Sequence, residues 1–252
     1  MYIFLVHDCS PQTILTNIWQ KKQTTKLKYQ KAYFKMNMQE TEERLGFKLL
    51  EFAKHAIPAS QMLADAKPEI KGLGEEQVER TKEKVFNNIV GFIEAEGYPT
   101  EFDVYFDKTK INDLVASILL PIVIAFRRET GRELHHQREL DTISTNFIGV
   151  KGRKFVFVVE AAKLFIRQAR RGCMLALKEM GDNNPGGVVY GLVTSGDVWQ
   201  IIRYQRGIFT QTGPIQVASR TMERNKAKWL KESSIIVDFL HAALRSEGFV
   251  AA

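Results

Sequence analysis

The segment 155–160, "FVFVVE", constrains the fold more than any other part of this sequence. Its β-branched and aromatic residues favour a strand, and an acid, Glu160, ends it. A helical pattern follows in "AAKLFIRQARRGCMLALKEMGDN", where Leu164, Ala169, Cys173 and Leu177 are expected to face inward. Two further strands then flank a turn at residues 195–197. A strand, a helix and two strands in succession predict an α/β fold.

Helical periodicity dominates the first half of the chain. The order from the third helix onward is helix, three strands, helix, strand, strand, helix. This order predicts a mixed sheet flanked by helices and preceded by a helical N-terminal region. The predicted helices cover residues 39–66, 75–96, 110–130 and 221–245, together with the helix that follows Glu160.

Three regions differ in composition. Residues 1–38 form a basic N-terminal extension, whose lysine-rich part, 20–35, contains no acid. That part suits either a nucleic-acid-binding arm or a flexible tail, and we expect a loosely attached extension. Residues 39–110 form the helical region, and residues 111–252 carry the predicted sheet.

Composition sets limits on the partners. The 252 residues carry a net charge of +7, which permits nucleic-acid binding without requiring it. The two cysteines match neither a disulfide framework nor a zinc site, as expected in a reducing compartment. The run "LVASILLPIVIAF" is too short to cross a bilayer and contains Pro121, so we expect a buried helix and no membrane partner.

Two acids stand at the ends of neighbouring predicted strands. Asp141 opens the second strand of the group and Glu160 ends the third, with "VKGRK" (150–154) as the hairpin turn between them. Antiparallel pairing brings Asp141 and Glu160 together at one sheet edge. Two convergent carboxylates suit Mg²⁺ or Mn²⁺ and the hydrolysis of a phosphodiester. The alternative is that each acid is solvated or pairs with a surface lysine.

The block "LDTISTN…KGRKFVFVVEAAK", continued by "YGLVTSGDVW", resembles the core of the PD-(D/E)XK nuclease superfamily. It is most similar to nuclease-like domains found repeatedly in fungal genomes, and the resemblance covers residues 111–245. It implies a restriction-endonuclease-like core in which Asp141 and Glu160 hold Mg²⁺ or Mn²⁺ and hydrolyse DNA. It also implies an intracellular, nuclear protein.

One position departs from that family's pattern. The E-x-K triplet requires a lysine at position 162, and this chain has Ala162 followed by Lys163. Side chains alternate along a strand, so Lys163 is out of phase with Glu160. A lysine near the phosphate orients water and offsets developing charge, so cleavage should be weak or absent. A degenerate enzyme, an inactivating substitution and migration of the lysine all remain open.

Further residues complete the predicted site. Glu129 is the candidate third metal ligand, or a surface acid that pairs with Arg127, Arg128 or Arg132. The basic residues near the acids either contact a phosphate backbone or form a solvated surface. These residues are Arg153, Lys154, Arg167, Arg170 and Arg171.

Two functions are consistent with this sequence. The first is a metal-dependent, nuclease-like domain that hydrolyses phosphodiester bonds in DNA. The second is a non-catalytic module that binds nucleic acid or protein, with the N-terminal helices as a possible protein contact.

Overall fold

The computed structural model describes residues 2–7, 36–66, 75–99, 108–131, 134–138, 153–161, 166–183 and 188–246. Within these ranges the chain forms an α/β fold with helices on both faces of one mixed sheet. The strands are β1 (Tyr2–His7), β2 (Ala56–Ile57), β3 (Leu134–Arg138), β4 (Arg153–Ala161), β5 (Val189–Thr194), β6 (Val198–Gln205), β7 (Ile208–Thr212) and β8 (Ile215–Gln216). The α-helices are α1 (Met38–Leu45), α2 (Leu49–Phe52), α3 (Ala59–Ala66), α4 (Glu75–Glu96), α5 (Lys108–Thr130), α6 (Ile166–Asn183), α7 (Lys226–Glu232) and α8 (Ile235–Ser246).

The sheet runs in the order β2-β7-β6-β5-β4-β1-β3, and β8 extends the pairing of β6. Strands β4 and β5 are parallel, as are β2 and β7, whereas the other pairs are antiparallel. A parallel pair requires a crossover connection, and α6 supplies it between β4 and β5. Every residue of β5 is buried, so this strand lies at the centre of the fold.

Two hydrophobic layers cover the sheet. On one face, α3, α4, α5 and α8 pack against the sheet residues Val159, Tyr190, Leu192, Trp199 and Ile201. On the other face, α6 and Leu45 of α1 pack against Val189, Val193, Ile202 and Tyr204. Because side chains alternate along β5 and β6, successive residues of each strand pack into the hydrophobic layers on opposite faces of the sheet.

Several predicted elements are confirmed. Helix α4 has the predicted bounds, α5 begins two residues earlier than expected, and α6 buries Ala169, Cys173 and Leu177 as predicted. The turn at residues 195–197 joins β5 to β6, which pair as antiparallel neighbours. The apolar run in α5 is buried at Leu114, Ile118 and Phe126 but exposed at Leu120 and Ile124, so the predicted burial holds for one face of this helix.

Helix α5 also has the length and composition of a membrane-crossing helix. Its mean hydropathy is 1.7 over the apolar window, and half of that window is buried inside the fold.

Two predicted long helices are interrupted. The region 39–66 contains three short helices and β2 instead of one helix. Helix α1 begins at a capping box, in which Asn37 and Glu40 bond each other's backbone N–H, and it ends at Gly46 with φ 85°. The C-terminal prediction, 221–245, divides into a 3₁₀ turn (Met222–Asn225), α7 and α8.

The first residues of the predicted N-terminal extension, 1–38, form a strand, while its lysine-rich part, 20–35, lies outside the described residues. Strand β1 lies inside the sheet, antiparallel to both β3 and β4. It therefore occupies the place beside β4 that we expected for the strand opening at Asp141, and the predicted hairpin pairing of β4 is not observed. The rest of residues 1–38 lies outside the described part, except for 36–38.

The helical region 39–110 shares a core with the sheet. Met62 of α3 and Phe86 of α4 belong to the same buried cluster as Phe239 of α8. These N-terminal helices therefore complete one face of the sheet.

The contact between β5 and α6 depends on Gly191. A Cβ atom at this position would lie 2.4 Å from Cys173 Sγ and 2.8 Å from Leu177 Cδ1. Both distances are shorter than van der Waals contact, so any side chain forces the helix away from the sheet.

We expect Gly191→Ala to lower the free energy of unfolding by about 1–3 kcal/mol, because it overpacks this contact. The double variant Gly191→Ala/Cys173→Ala should recover part of the loss, since the nearest atom is removed. Urea unfolding followed by circular dichroism measures both. Gly213→Ala is the control, because a Cβ there contacts nothing within 4 Å. Equal stability of Gly191→Ala and the native chain would contradict the close approach.

Candidate functional site

The candidate site lies where the parallel strands β4 and β5 end. In the β4–β5 register, Glu160 is opposite Val193 and Ala161 is opposite Thr194. Both strands stop at this level, and the β5–β6 turn begins at Ser195. The backbone position of Glu160 is therefore at the carboxyl end of the parallel pair, the edge at which open α/β sheets bind ligands.

The β5–β6 turn beside this position is held by its own polar groups. Thr194 Oγ1 accepts from the Gly196 N–H at 2.8 Å and donates to the Val198 carbonyl at 2.9 Å. Gly196 has φ 96°, a conformation that favours glycine. Trp199 is fully buried and donates from Nε1 to the Gly196 carbonyl at 2.9 Å, so it anchors the turn to the core.

Asp197 in this turn is fully engaged in structural bonds. Its carboxylate accepts from Ser195 Oγ at 2.7 Å, from the Val198 N–H at 2.9 Å and from the Tyr98 hydroxyl at 2.8 Å. Burial and the bond to Asp197 raise the pKa of Tyr98, so its hydroxyl stays a donor. These bonds join the residues after α4 to the β5–β6 turn and give Asp197 a structural role.

Helix α6 begins at the same end of the sheet. It leaves the carboxyl end of β4 and returns to the start of β5, so its first turns lie beside the site. Those turns carry Arg167, Arg170 and Arg171, whose spacing of three and four residues places them on one helix face. Arg167 is exposed, while Arg170 and Arg171 are partly buried.

Arg170 is the unusual member of this face. Its Nε atom is buried without a hydrogen-bond partner, and no described acid forms an ion pair with it. Burial lowers the pKa of the Arg170 guanidinium, and repulsion from Arg167 lowers it further. A partly desolvated cation beside a second cation is unfavourable unless an anion compensates it.

Glu129 is accounted for by an ion pair. Its carboxylate bonds Arg245 of α8, whose side chain is only 7% exposed. We expected a partner among Arg127, Arg128 and Arg132, so the observed partner corrects that prediction. The bond ties the last turn of α5 to α8 and explains Glu129 without a metal ion. In the described ranges, no group of three His, Cys, Asp or Glu residues could hold a metal ion.

The remaining predicted site residues are only partly covered. Asp141, Ala162 and Lys163 lie outside the described residues. Glu160, Arg153 and Lys154 belong to β4, and only their backbone positions are described. The structure therefore brings together the β4 end, the β5–β6 turn and the arginine face of α6.

Sequence reasoning missed a buried polar cluster on the helical face. His241 of α8 is 2% exposed, and neither ring nitrogen has a hydrogen-bond partner. Lys82 lies nearby and bonds Glu79 at 2.7 Å and Asp238 at 3.0 Å. The only sequence signal was polar residues within the apolar run "IIVDFLHAALR".

Comparisons with protein-family models, with curated proteins and with solved structures found no match. The resemblance to nucleases therefore stays a prediction from the sequence motifs.

His241 should make the fold sensitive to acid. Burial, followed by the positive charges of Arg245 and Lys82, lowers the pKa of His241 from 6.5 to about 4. The unfolded chain therefore binds a proton first, so stability falls as the pH decreases from about 6.5 towards about 4. The loss amounts to roughly 3 kcal/mol for such a shift. We expect His241→Phe to reduce this pH dependence.

Urea unfolding at several pH values between 4 and 7 tests this expectation. His55→Gln is the matched control, because His55 is exposed. Carboxylates contribute equally to the pH dependence of stability in all three proteins. Only the difference between the proteins in the slope of unfolding free energy against pH is therefore informative. A slope that is the same in His241→Phe and in the native chain would contradict the assignment.

Proposed function

We propose that this protein is a metal-dependent, nuclease-like domain that binds the phosphate backbone of DNA in the nucleus. Asp141 and Glu160 hold Mg²⁺ or Mn²⁺ at the carboxyl end of β4, and the arginine face of α6 contacts the phosphates. Cleavage is weak or absent because position 162 is alanine. The proposal is supported by the sequence resemblance, by the mixed α/β sheet and by the position of Glu160 at a strand end.

The observation that carries the proposal is Arg170. This guanidinium has lost part of its hydration, has no acidic partner among the described residues and is repelled by Arg167. A phosphate would supply the missing charge and accept hydrogen bonds from the planar guanidinium. The first turn of α6 adds backbone N–H groups and the positive end of its dipole. A net charge of +7 favours the approach of a polyanion.

The proposed chemistry divides among few groups. Two carboxylates provide hard oxygen ligands for Mg²⁺, which would polarise the phosphodiester and lower the pKa of a bound water. Arg167, Arg170 and Arg171 position the backbone, with Arg153 and Lys154 of β4 as further candidates. No residue is assigned to orient the attacking water, because the alanine side chain at position 162 has no hydrogen-bond donor and no charge.

A second function is favoured by β1. This strand lies beside β4, where the strand carrying Asp141 was expected. A fold in which the two acids do not meet can still bind a phosphate backbone through α6. A non-catalytic module that binds nucleic acid is therefore the alternative proposal. This alternative includes binding to a protein through the N-terminal helices, because Leu50 of α2 is 71% exposed and offers an apolar contact.

Removing the Arg170 side chain should weaken binding to all DNA sequences by a similar factor. We expect Arg170→Ala to raise the Kd for a fluorescent duplex about tenfold, since one charge-assisted contact is lost. The slope of log Kd against log salt should fall by about one. Fluorescence anisotropy at several NaCl concentrations measures both.

Lys228→Ala is the control for that experiment. It removes one exposed charge from α7, a helix that packs on the opposite face of the sheet from α6. Equal affinities of Arg170→Ala and Lys228→Ala would remove the main support for the proposal.

Restoring the lysine tests the catalytic part. We expect Ala162→Lys to raise Mg²⁺-dependent nicking of a plasmid by about two orders of magnitude, since such a group commonly contributes that much. The double variants Ala162→Lys/Asp141→Asn and Ala162→Lys/Glu160→Gln should lose the gain. If a folded Ala162→Lys protein cuts no faster than the native chain, the non-catalytic module is the better description.

A further inference from the structure

Helix α5 exposes apolar side chains on the side that faces away from the core. Leu114, Ile118 and Phe126 are buried, whereas Leu120 is 46% exposed and Ile124 is 45% exposed. The two exposed residues are four positions apart, so they are neighbours on one helix face. Single exposed apolar residues are ordinary on a protein surface, but a contiguous apolar patch marks a contact surface.

This face of α5 is uncharged in its middle and oppositely charged at its ends. At alternating spacings of four and three residues, the pattern of paired helices, it carries Asp113, Ser117, Leu120, Ile124 and Arg127. We call these five residues the α5 stripe. All are exposed except the half-buried serine. The sequence between the acid and the arginine, 114–126, includes no charged residue.

The α5 stripe is complementary to itself in the antiparallel direction. Asp113 and Arg127 each lie seven residues from Leu120. Two antiparallel copies of α5 that cross at Leu120 therefore place the acid of each copy at the level of the arginine of the other. In the same register Ile124 lies at the level of Ala116, whose small side chain leaves room for it. A parallel pairing would bring like charges together at both ends.

The polar oxygens of Ser117 in the middle of the stripe already have partners. Pro121 has no N–H, so the Ser117 carbonyl receives no bond from within the helix. Asn88 Nδ2 of α4 donates to this carbonyl instead, at 3.1 Å. The Ser117 hydroxyl donates to the Leu114 carbonyl at 2.7 Å. Covering the stripe therefore leaves neither oxygen without a hydrogen bond, which avoids the cost of burying an unpaired polar group.

We propose that a second copy of this chain binds the α5 stripe and forms a two-fold symmetric dimer through antiparallel α5 helices. Leu120 and Ile124 form the apolar centre, and the charges at the ends fix the direction of pairing. The interface has few side chains, so we expect a dissociation constant in the micromolar range. Helix α6 packs on the other face of the sheet, so the dimer leaves its arginine face uncovered in both copies. The inference does not depend on the proposed metal site.

A lipid surface fits the α5 stripe less well than a second copy does. The stripe offers two strongly exposed aliphatic side chains, fewer than a helix lying in the membrane interface presents. Anionic headgroups would also repel Asp113. A second copy, in contrast, provides an opposite charge for each end.

Sedimentation equilibrium over a range of protein concentrations measures the dimer directly. We expect Leu120→Lys to raise the dissociation constant at least tenfold, because it places two like charges at the two-fold axis. Ile208→Lys is the matched control and should leave the constant unchanged, because it makes a similar change at a residue of β7 that is 69% exposed. Circular dichroism checks that both variants fold. A native chain that stays monomeric at every soluble concentration, or an equal effect of the two variants, would overturn the proposal.

Exchanging the end charges tests the direction of pairing. Asp113→Lys and the double variant Arg127→Glu/Arg128→Glu should each raise the dissociation constant at least tenfold, since each brings like charges together. A mixture of the two variants should form a heterodimer, because every charged end then faces an opposite charge. Folded variants that do not associate when mixed would rule out the antiparallel dimer.

Vesicles that contain anionic lipid provide the last comparison. The proposal predicts that the native chain does not float with these vesicles in a density gradient. If the native chain floats as a monomer and Leu120→Lys does not, the stripe contacts lipid and the dimer is wrong.

Discussion

The parallel pairing of β4 with β5 is the constraint on which the rest of this structure depends. Parallel neighbours cannot be joined by a tight turn, so the chain must cross one face of the sheet, and α6 does so. The crossing helix buries Cys173 and Leu177 against Gly191, the only residue type that allows this close approach. The same pairing brings the ends of both strands to one edge.

That edge collects the groups to which we assign function. The last residues of β4, the turn at Thr194–Asp197 and the first turns of α6 meet there because the topology leaves them no other arrangement. The turn satisfies its own polar atoms, so Asp197 contributes rigidity. Arg170 Nε has no such partner in the described part of the chain, and this contrast is the reason why we propose the face of α6 as the phosphate-binding surface.

The elements that could be predicted are those that a pattern of neighbouring residues in the sequence determines. Helices α4, α5 and α6 followed from periodicity, and the β5–β6 turn followed from "TSGD" between two apolar runs. The position of β1 between β3 and β4 did not follow, because the pairing of these strands joins residues that are far apart in the sequence. The breaks at Gly46 and between α7 and α8 depend on caps and tertiary packing that periodicity does not contain.

The site was predictable in part for the same reason. Sequence order indicated Glu160 at a strand end and three arginines in the helix that follows it. It could not indicate that Arg170 lacks an acidic partner among the described residues or that Glu129 bonds Arg245, because both facts depend on residues distant in the chain. The buried His241 was missed because an apolar helical stripe gives no sign of a polar member until neighbouring helices cover it.

The most direct test of the central claim is the position of a bound duplex on the protein. A DNA duplex carrying one nitroxide spin label would be added to isotopically labelled protein, and the loss of amide signals would be measured by nuclear magnetic resonance. The account predicts that the signals of residues 167–171 and of Thr194 are lost first, while those of α7 persist. Loss confined to α4 and α7, on the opposite face of the sheet, would contradict it.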